Sequence, residues 1–258
     1  MVLRLLLALL FFNYVLLAES KIDTKIEAGI YMPTLNGSIN NHQSSSDISK
    51  DYGFTNTTAS YLSLLLLLDY PYIPNLSIDY FYMQENEDTV LNKTVAVADG
   101  TFSSSISSKI DYNVLNAVFF QDFKKKGSFF SLFGKRYYTG DLEFDVGINT
   151  KYISWKFEIQ DKTNLNQSPS WIYVNEFIAL PYLGFKYYLY NLSIYSNISA
   201  LSLMDAKSMN YQIALSYRVI NGLYLNGAYI HEEFKAIEKS DTVEFNTSGY
   251  KFSFIYAF

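Results

Sequence analysis

The chain has 258 residues, 49% hydrophobic and 18% aromatic, with 24 Tyr and 20 Phe against 2 Trp. With no cysteine, disulfide frameworks and thiolate metal or redox sites are excluded. Net charge is −5 and the densest cationic run is Lys124, Lys125 and Lys126, too small for a nucleic-acid surface.

Residues 1–20 combine Arg4, an almost unbroken apolar run over 5–17, and small residues at Ala18 and Ser20. This pattern predicts a secretory signal cleaved after Ser20, with a retained helical anchor as the alternative. No later segment reaches the ~18–20 apolar residues that a spanning helix needs. An exported chain without such helices is either a secreted β-protein or a barrel.

From residue 21 onward the chain alternates as strands do, with period two. A first strand, about 23–32, sets Ile26, Ala28, Ile30 and Met32 against Lys25, Glu27 and Gly29. A second, 57–70, places Leu62, Leu64, Leu66 and Leu68 on one side, and the prolines at 71 and 74 make a turn after it. The third, 76–84, sets Leu76, Ile78, Tyr80 and Tyr82 against Ser77 and Asp79. In the fourth, Phe102, Ile106, Ile110, Tyr112 and Val114 oppose Ser103, Ser105, Ser107, Lys109, Asp111 and Asn113. That pattern predicts a lipid-facing even side and a polar lumen on the odd side.

Residues 116–140 are irregular and read as a long connection whose aromatics touch the membrane interface. The fifth strand, 141–159, opens with Leu142, Phe144, Val146 and Ile148 opposite Glu143, Asp145, Gly147 and Asn149. Its apolar parity then moves to Ile153, Trp155 and Phe157, which predicts a bulge near 150–152. A sixth strand ends near Tyr190; a seventh covers 192–203 and an eighth 210–219. Asn221 and Gly222 form the strongest hairpin dipeptide, leading into a ninth strand over 223–234. In the last, Tyr250, Phe252, Phe254, Tyr256 and Phe258 project from one face up to the terminus.

A soluble sheet would have to cover that aromatic ladder, whereas lipid accepts it and barrel closure removes the edge. The expected fold is therefore an all-β, transmembrane, antiparallel up-and-down barrel of about ten strands, with twelve or eight as alternatives. An even count puts both termini on the periplasmic side. Connections near 33–56, 85–100, 160–170, 204–208 and 235–244 are then extracellular and the tightest turns periplasmic. Only 116–140 breaks that asymmetry. A secreted barrel of lipocalin type remains as a third architecture, in conflict with the ladder.

The terminal ladder resembles the C-terminal insertion signal of bacterial outer-membrane proteins. Together with Asp69-Tyr-Pro-Tyr-Ile-Pro-Asn-Leu76, Ala179-Leu-Pro-Tyr182 and Asn221-Gly-Leu-Tyr224, it makes the chain similar to a little-characterised family of small proteobacterial outer-membrane β-barrels. The resemblance implies a Gram-negative outer-membrane location, lipid contact, and recognition of the last strand by the barrel-assembly machinery. It supplies no catalytic residues.

Assigning the apolar parity to lipid leaves Asp79, Lys109, Asp111, Glu143, Asp145, Lys186, Arg218 and Lys251 in the lumen. Four acids and four bases predict a salt-bridged plug; a narrow charged pore is the alternative. A ten-stranded barrel is near the size that side chains fill. The only histidines are His42, in a polar loop, and His231, beside Glu232 and Glu233. His231 is the one candidate base for a rim hydrolase acting on lipid or peptide. No metal or cofactor motif stands out, no small-molecule ligand is indicated, and a non-enzymatic envelope or small-solute role is expected.

Overall fold

The structure, a computed structural model, describes residues 22–41, 44–68, 72–133, 135–164, 168–202, 207–238 and 241–258. The expected signal at 1–20, His42, Pro71 and most of the connection 204–208 lie outside the described residues.

Period-two alternation carries the chain into ten long strands: β1 Ile22–Asn40, β2 Ala59–Leu68, β3 Asn75–Val90, β4 Ser105–Lys125, β5 Asp141–Asp161, β6 Ser170–Leu189, β7 Leu192–Ser202, β8 Lys207–Ile220, β9 Leu223–Glu238 and β10 Asp241–Ala257. Each pairs antiparallel with its neighbour in sequence. β10 then pairs with β1, from Lys25↔Ala257 to Asn40↔Thr242, and closes the ring. Closure gives every strand a paired neighbour on each side in the turn-end half and leaves no edge there, the condition for a sheet in lipid. Among the described residues the fold is thus the expected all-β barrel of ten strands, and neither eight nor twelve applies.

Ile22, Leu68, Leu189, Leu192, Ile220, Leu223 and Ala257 gather at one end, here the turn end. Two of its connections are tight: Tyr190–Asn191, and Asn221–Gly222 with Gly222 at φ 81° as this hairpin turn requires. The opposite, loop end departs from expectation. β1 runs to Asn40, β3 to Val90 and β9 to Glu238, so much of 33–56, 85–100 and 235–244 is strand. Ser45–Asp47 adds a short strand to β1, and Val95–Val97 pairs with Gly100–Phe102.

The irregular 116–140 segment resolves into two parts. β4 absorbs it as far as Lys125, and Phe129–Leu132 pairs with Lys135–Tyr138 as a separate hairpin at the turn end, outside the barrel sheet. The bulge expected near 150–152 is absent. Thr150, Lys151 and Tyr152 pair in unbroken register with Ala117, Asn116 and Leu115 on one side and Ala179, Ile178 and Phe177 on the other. The register shift of β8 lies instead between Arg218 and Ile220.

Unbroken register on β5 means that Glu143, Asp145, Asn149 and Lys151 share the inward face with Ile153, Trp155, Phe157 and Ile159, all of them buried. What changes along the strand is the chemistry of the interior, not the direction of the side chains. Outside, the change is the reverse. In the turn-end half Ile148, Phe144, Ile213, Leu215, Phe252 and Phe254 stand exposed, as an apolar band that lipid would cover. Toward the loop end the outward face of β3 turns polar, with Gln84, Asn86 and Asp88 exposed ahead of a terminal Val90. Tyr80, Tyr82 and Tyr152 mark the boundary, their hydroxyls donating to Asn113, Gln84 and Asn175. Such a tyrosine row, apolar below and hydrogen-bonded above, is an interface girdle.

Candidate functional site

The lumen has three levels. Nearest the turn end, Lys186 on β6 reaches Glu143 Oε1 at 2.6 Å and Asp145 Oδ2 at 2.8 Å across the β5–β6 pair. Lys124 joins them, at 3.8 Å from Glu143 and 2.5 Å from Asp122. On the opposite wall Lys251 lies 2.7 Å from Glu27 Oε1 and 3.8 Å from the Tyr61 ring centroid. Glu27 also accepts from Asn226 Nδ2 at 2.8 Å and from Ser253 Oγ. Tyr61 donates to Asp79 Oδ1 at 2.8 Å. Between these clusters is a cavity of about 300 Å³, bounded by Glu27, Tyr61, Asp79, Tyr182, Lys186 and Tyr195 and reaching the turn end at Tyr190, Asn191 and Arg218.

At mid-height a fully buried pair crosses the barrel: Lys151 Nζ sits 3.0 Å from Glu232 Oε1. Asn210 Nδ2 donates to the same carboxylate at 2.8 Å, and the Tyr112 hydroxyl does so at 3.3 Å. The carboxylate is thereby hydrogen-bonded as well as paired, which is what makes a buried charge tolerable.

Above that pair the lumen is filled. Trp155 stacks on Phe157 at 5.9 Å and meets Phe234 and Phe245 edge-on or tilted. Phe245 packs against Tyr112, Tyr112 against Phe81, and Phe81 against Tyr31. Ile106, Ile110, Val114, Ile153 and Ile159 complete the layer, and Tyr52 and Phe54 from the first loop cap it against Phe157. Solvent outside and apolar contact inside make this half a soluble-type core within a sheet whose other half meets lipid.

Of the charges expected in the lumen, Asp79, Glu143, Asp145, Lys186 and Lys251 face it. Arg218 stands at its turn-end mouth, donating through Nε and Nη2 to Asn191 Oδ1 at 3.1 and 2.7 Å. Lys109 and Asp111 do not face it. They alternate with buried Ile106, Ile110 and Tyr112, so they project outward and pair with each other at 3.0 Å. The even side of β4, expected to meet lipid, is the inner one in the loop-end half, where Ile106, Ile110, Tyr112 and Val114 are buried. Sequence reading missed Glu27, Lys151 and Glu232. Lys151 shares the parity of Glu143 and Asp145, and carrying that parity through without a bulge would have found it.

His231 faces outward on the wall of β9, well short of its end at Glu238. Its ring stacks on Tyr211 at 4.9 Å and Nδ1 lies 3.0 Å from Ser248 Oγ. Glu232 points inward to Lys151, while Glu233 pairs with Lys207 at 2.7 Å. Neither carboxylate therefore orients the imidazole. Among the described residues no group of three or more His, Asp or Glu side chains gathers that could hold a metal ion. The terminal ladder projects outward as expected: Tyr250, Phe252, Phe254, Tyr256 and Phe258 are all exposed on the lipid-facing side.

No protein-family profile matches the chain, and no curated protein matches it in sequence. Solved structures do. The outer-membrane protease OmpT of Escherichia coli aligns over 91% of this chain and 97% of its own at 9% identity and a TM-score of 0.45. The translocator domain of the autotransporter NalP from Neisseria meningitidis covers 96% and 93% at 13% identity and 0.42. The attachment invasion locus protein Ail of Yersinia pestis covers 88% and 98% at 7% identity and 0.33. Likeness at these values is one of fold alone. Closure, the outward apolar band and the tyrosine girdle are this chain's own features, and they make it a β-barrel of the bacterial outer-membrane type.

Proposed function

We propose that the chain is a non-enzymatic, non-conducting outer-membrane protein, one of the small proteobacterial barrels that its motifs resemble. In this reading the loop end faces the exterior and the turn end the periplasm, in keeping with the long connections 41–58 and 91–104 at the one and the two-residue turns 190–191 and 221–222 at the other. One observation carries it: the continuous ring-on-ring core from Tyr31 through Phe81, Tyr112 and Phe245 to Trp155, which occupies the loop-end lumen from wall to wall. Plugging is then mainly apolar, and the charges expected to form the plug serve the turn-end half, where they pair. The contribution of the protein to the envelope comes from its surfaces, not from solute passing through it.

Planar-bilayer recording of the refolded barrel tests this. The expected record is a baseline without unitary steps, in protein whose shifted gel mobility before boiling shows that it is folded. Reproducible steps from folded protein would overturn the sealed reading and restore the narrow charged pore.

A further inference from the structure

The hairpin at 129–138 is a feature the sealed barrel does not use. Residues 123–140 contain five of the chain's 20 Lys and Arg, at Lys124, Lys125, Lys126, Lys135 and Arg136, six aromatics, and no Asp or Glu. In an acidic chain this is a strong local concentration of positive charge. Three of its rings stand in the open: Phe133, 95% exposed at the tip, Phe129 and Tyr137. Arg136 holds its guanidinium carbon 5.2 Å from the Phe129 ring centroid.

The base of the hairpin is fixed. Tyr138 and Gly127 donate to Asp141 Oδ1, at 2.5 and 2.8 Å, and Thr139 N donates to Ser128 O at 2.9 Å. Tyr138 also packs against Tyr190 at 6.1 Å. From that base the hairpin leaves the barrel beside Phe123 and Phe144, which belong to the lipid-facing band and are themselves exposed. Exposed rings continuous with lipid contact, interleaved with cations and free of acids, are the chemistry of a surface that enters a negatively charged headgroup layer.

We infer that the 129–138 hairpin docks on anionic phospholipid headgroups of the leaflet at the turn end, with Phe129 and Phe133 at the level of the upper acyl chains. Lys126, Lys135 and Arg136 supply the charge selectivity. The inference uses the proposed orientation only to name that leaflet as the periplasmic one; the contact itself is independent of whether the barrel conducts.

A chain without cysteine accepts a single reporter cleanly. Ser131→Cys, exposed and between the rings, is labelled with an environment-sensitive fluorophore, and the full barrel is reconstituted into phosphatidylcholine vesicles with or without phosphatidylglycerol. Expected are a blue shift and quenching by spin-labelled lipid with phosphatidylglycerol. Both should be lost in high salt and in the K126E/K135E/R136E variant, whose gel shift reports that the barrel still folds. An emission that stays aqueous in both vesicle types overturns the inference. So does equal insertion into both types, which would remove the anionic requirement. A shift produced by purified peptidoglycan or by a periplasmic protein, and not by lipid, overturns it as well.

Discussion

The inward face of β5 carries Glu143, Asp145, Asn149 and Lys151 in the turn-end half, and Ile153, Trp155, Phe157 and Ile159 in the loop-end half. The outward face does the opposite, from Phe144, Val146 and Ile148 to Lys156 and Glu158, which pair at 2.9 Å. One strand, in one register, therefore satisfies two solvents. Where lipid lies outside, polar groups must be inside and must find partners there. Where water lies outside, burial of apolar side chains is favourable again and an ordinary core forms. The Lys151–Glu232 pair marks the level at which one regime gives way to the other.

That contrast can be broken at defined places. Trp155→Ala removes the centre of the loop-end core and should cost about 3–5 kcal/mol. Denaturant titration in detergent, followed by gel mobility, measures it; a negligible cost would mean that Trp155 contacts lipid, as a β5 bulge would have required. Glu232→Gln leaves the Lys151 ammonium buried without its counter-charge, at a cost of about 3–5 kcal/mol, less where the amide still accepts a hydrogen bond. The double variant Lys151→Met/Glu232→Leu should recover most of that loss, and its failure to do so would place the value of the site in shape and not in charge.

On the outer surface the two halves should answer differently to the same kind of change. Phe252→Lys puts a cation in the lipid-facing band and is expected to destabilise by about 2–4 kcal/mol near the midplane. Lys109→Leu, on the outer wall of the loop-end half, should shift stability by no more than about 0.5–1 kcal/mol, since its pair with Asp111 is only half-buried. Equal effects at the two positions, in the same titration, would erase the proposed boundary between lipid and water.

Which parts of this were legible follows from the same boundary. Strand order, closure, the turn at Asn221–Gly222 and the outward ladder from Tyr250 to Phe258 could be read because period two and turn chemistry are local. Glu143, Asp145 and Lys186 were legible because they alternate with lipid-facing residues of clear apolar character. Lys109 and Asp111 were misplaced, and Lys151 was missed, for one shared reason. Alternation reports that two faces differ, but it does not say which solvent each face meets.

The amino-acid sequence by itself determined the period and the tight turns, because these depend on neighbours two residues apart and on short turn motifs. Which face is the inside at each height was decided by tertiary structure alone. It depends on how far the strands continue past the tyrosine girdle, and on whether water or hydrocarbon lies against the wall at that level.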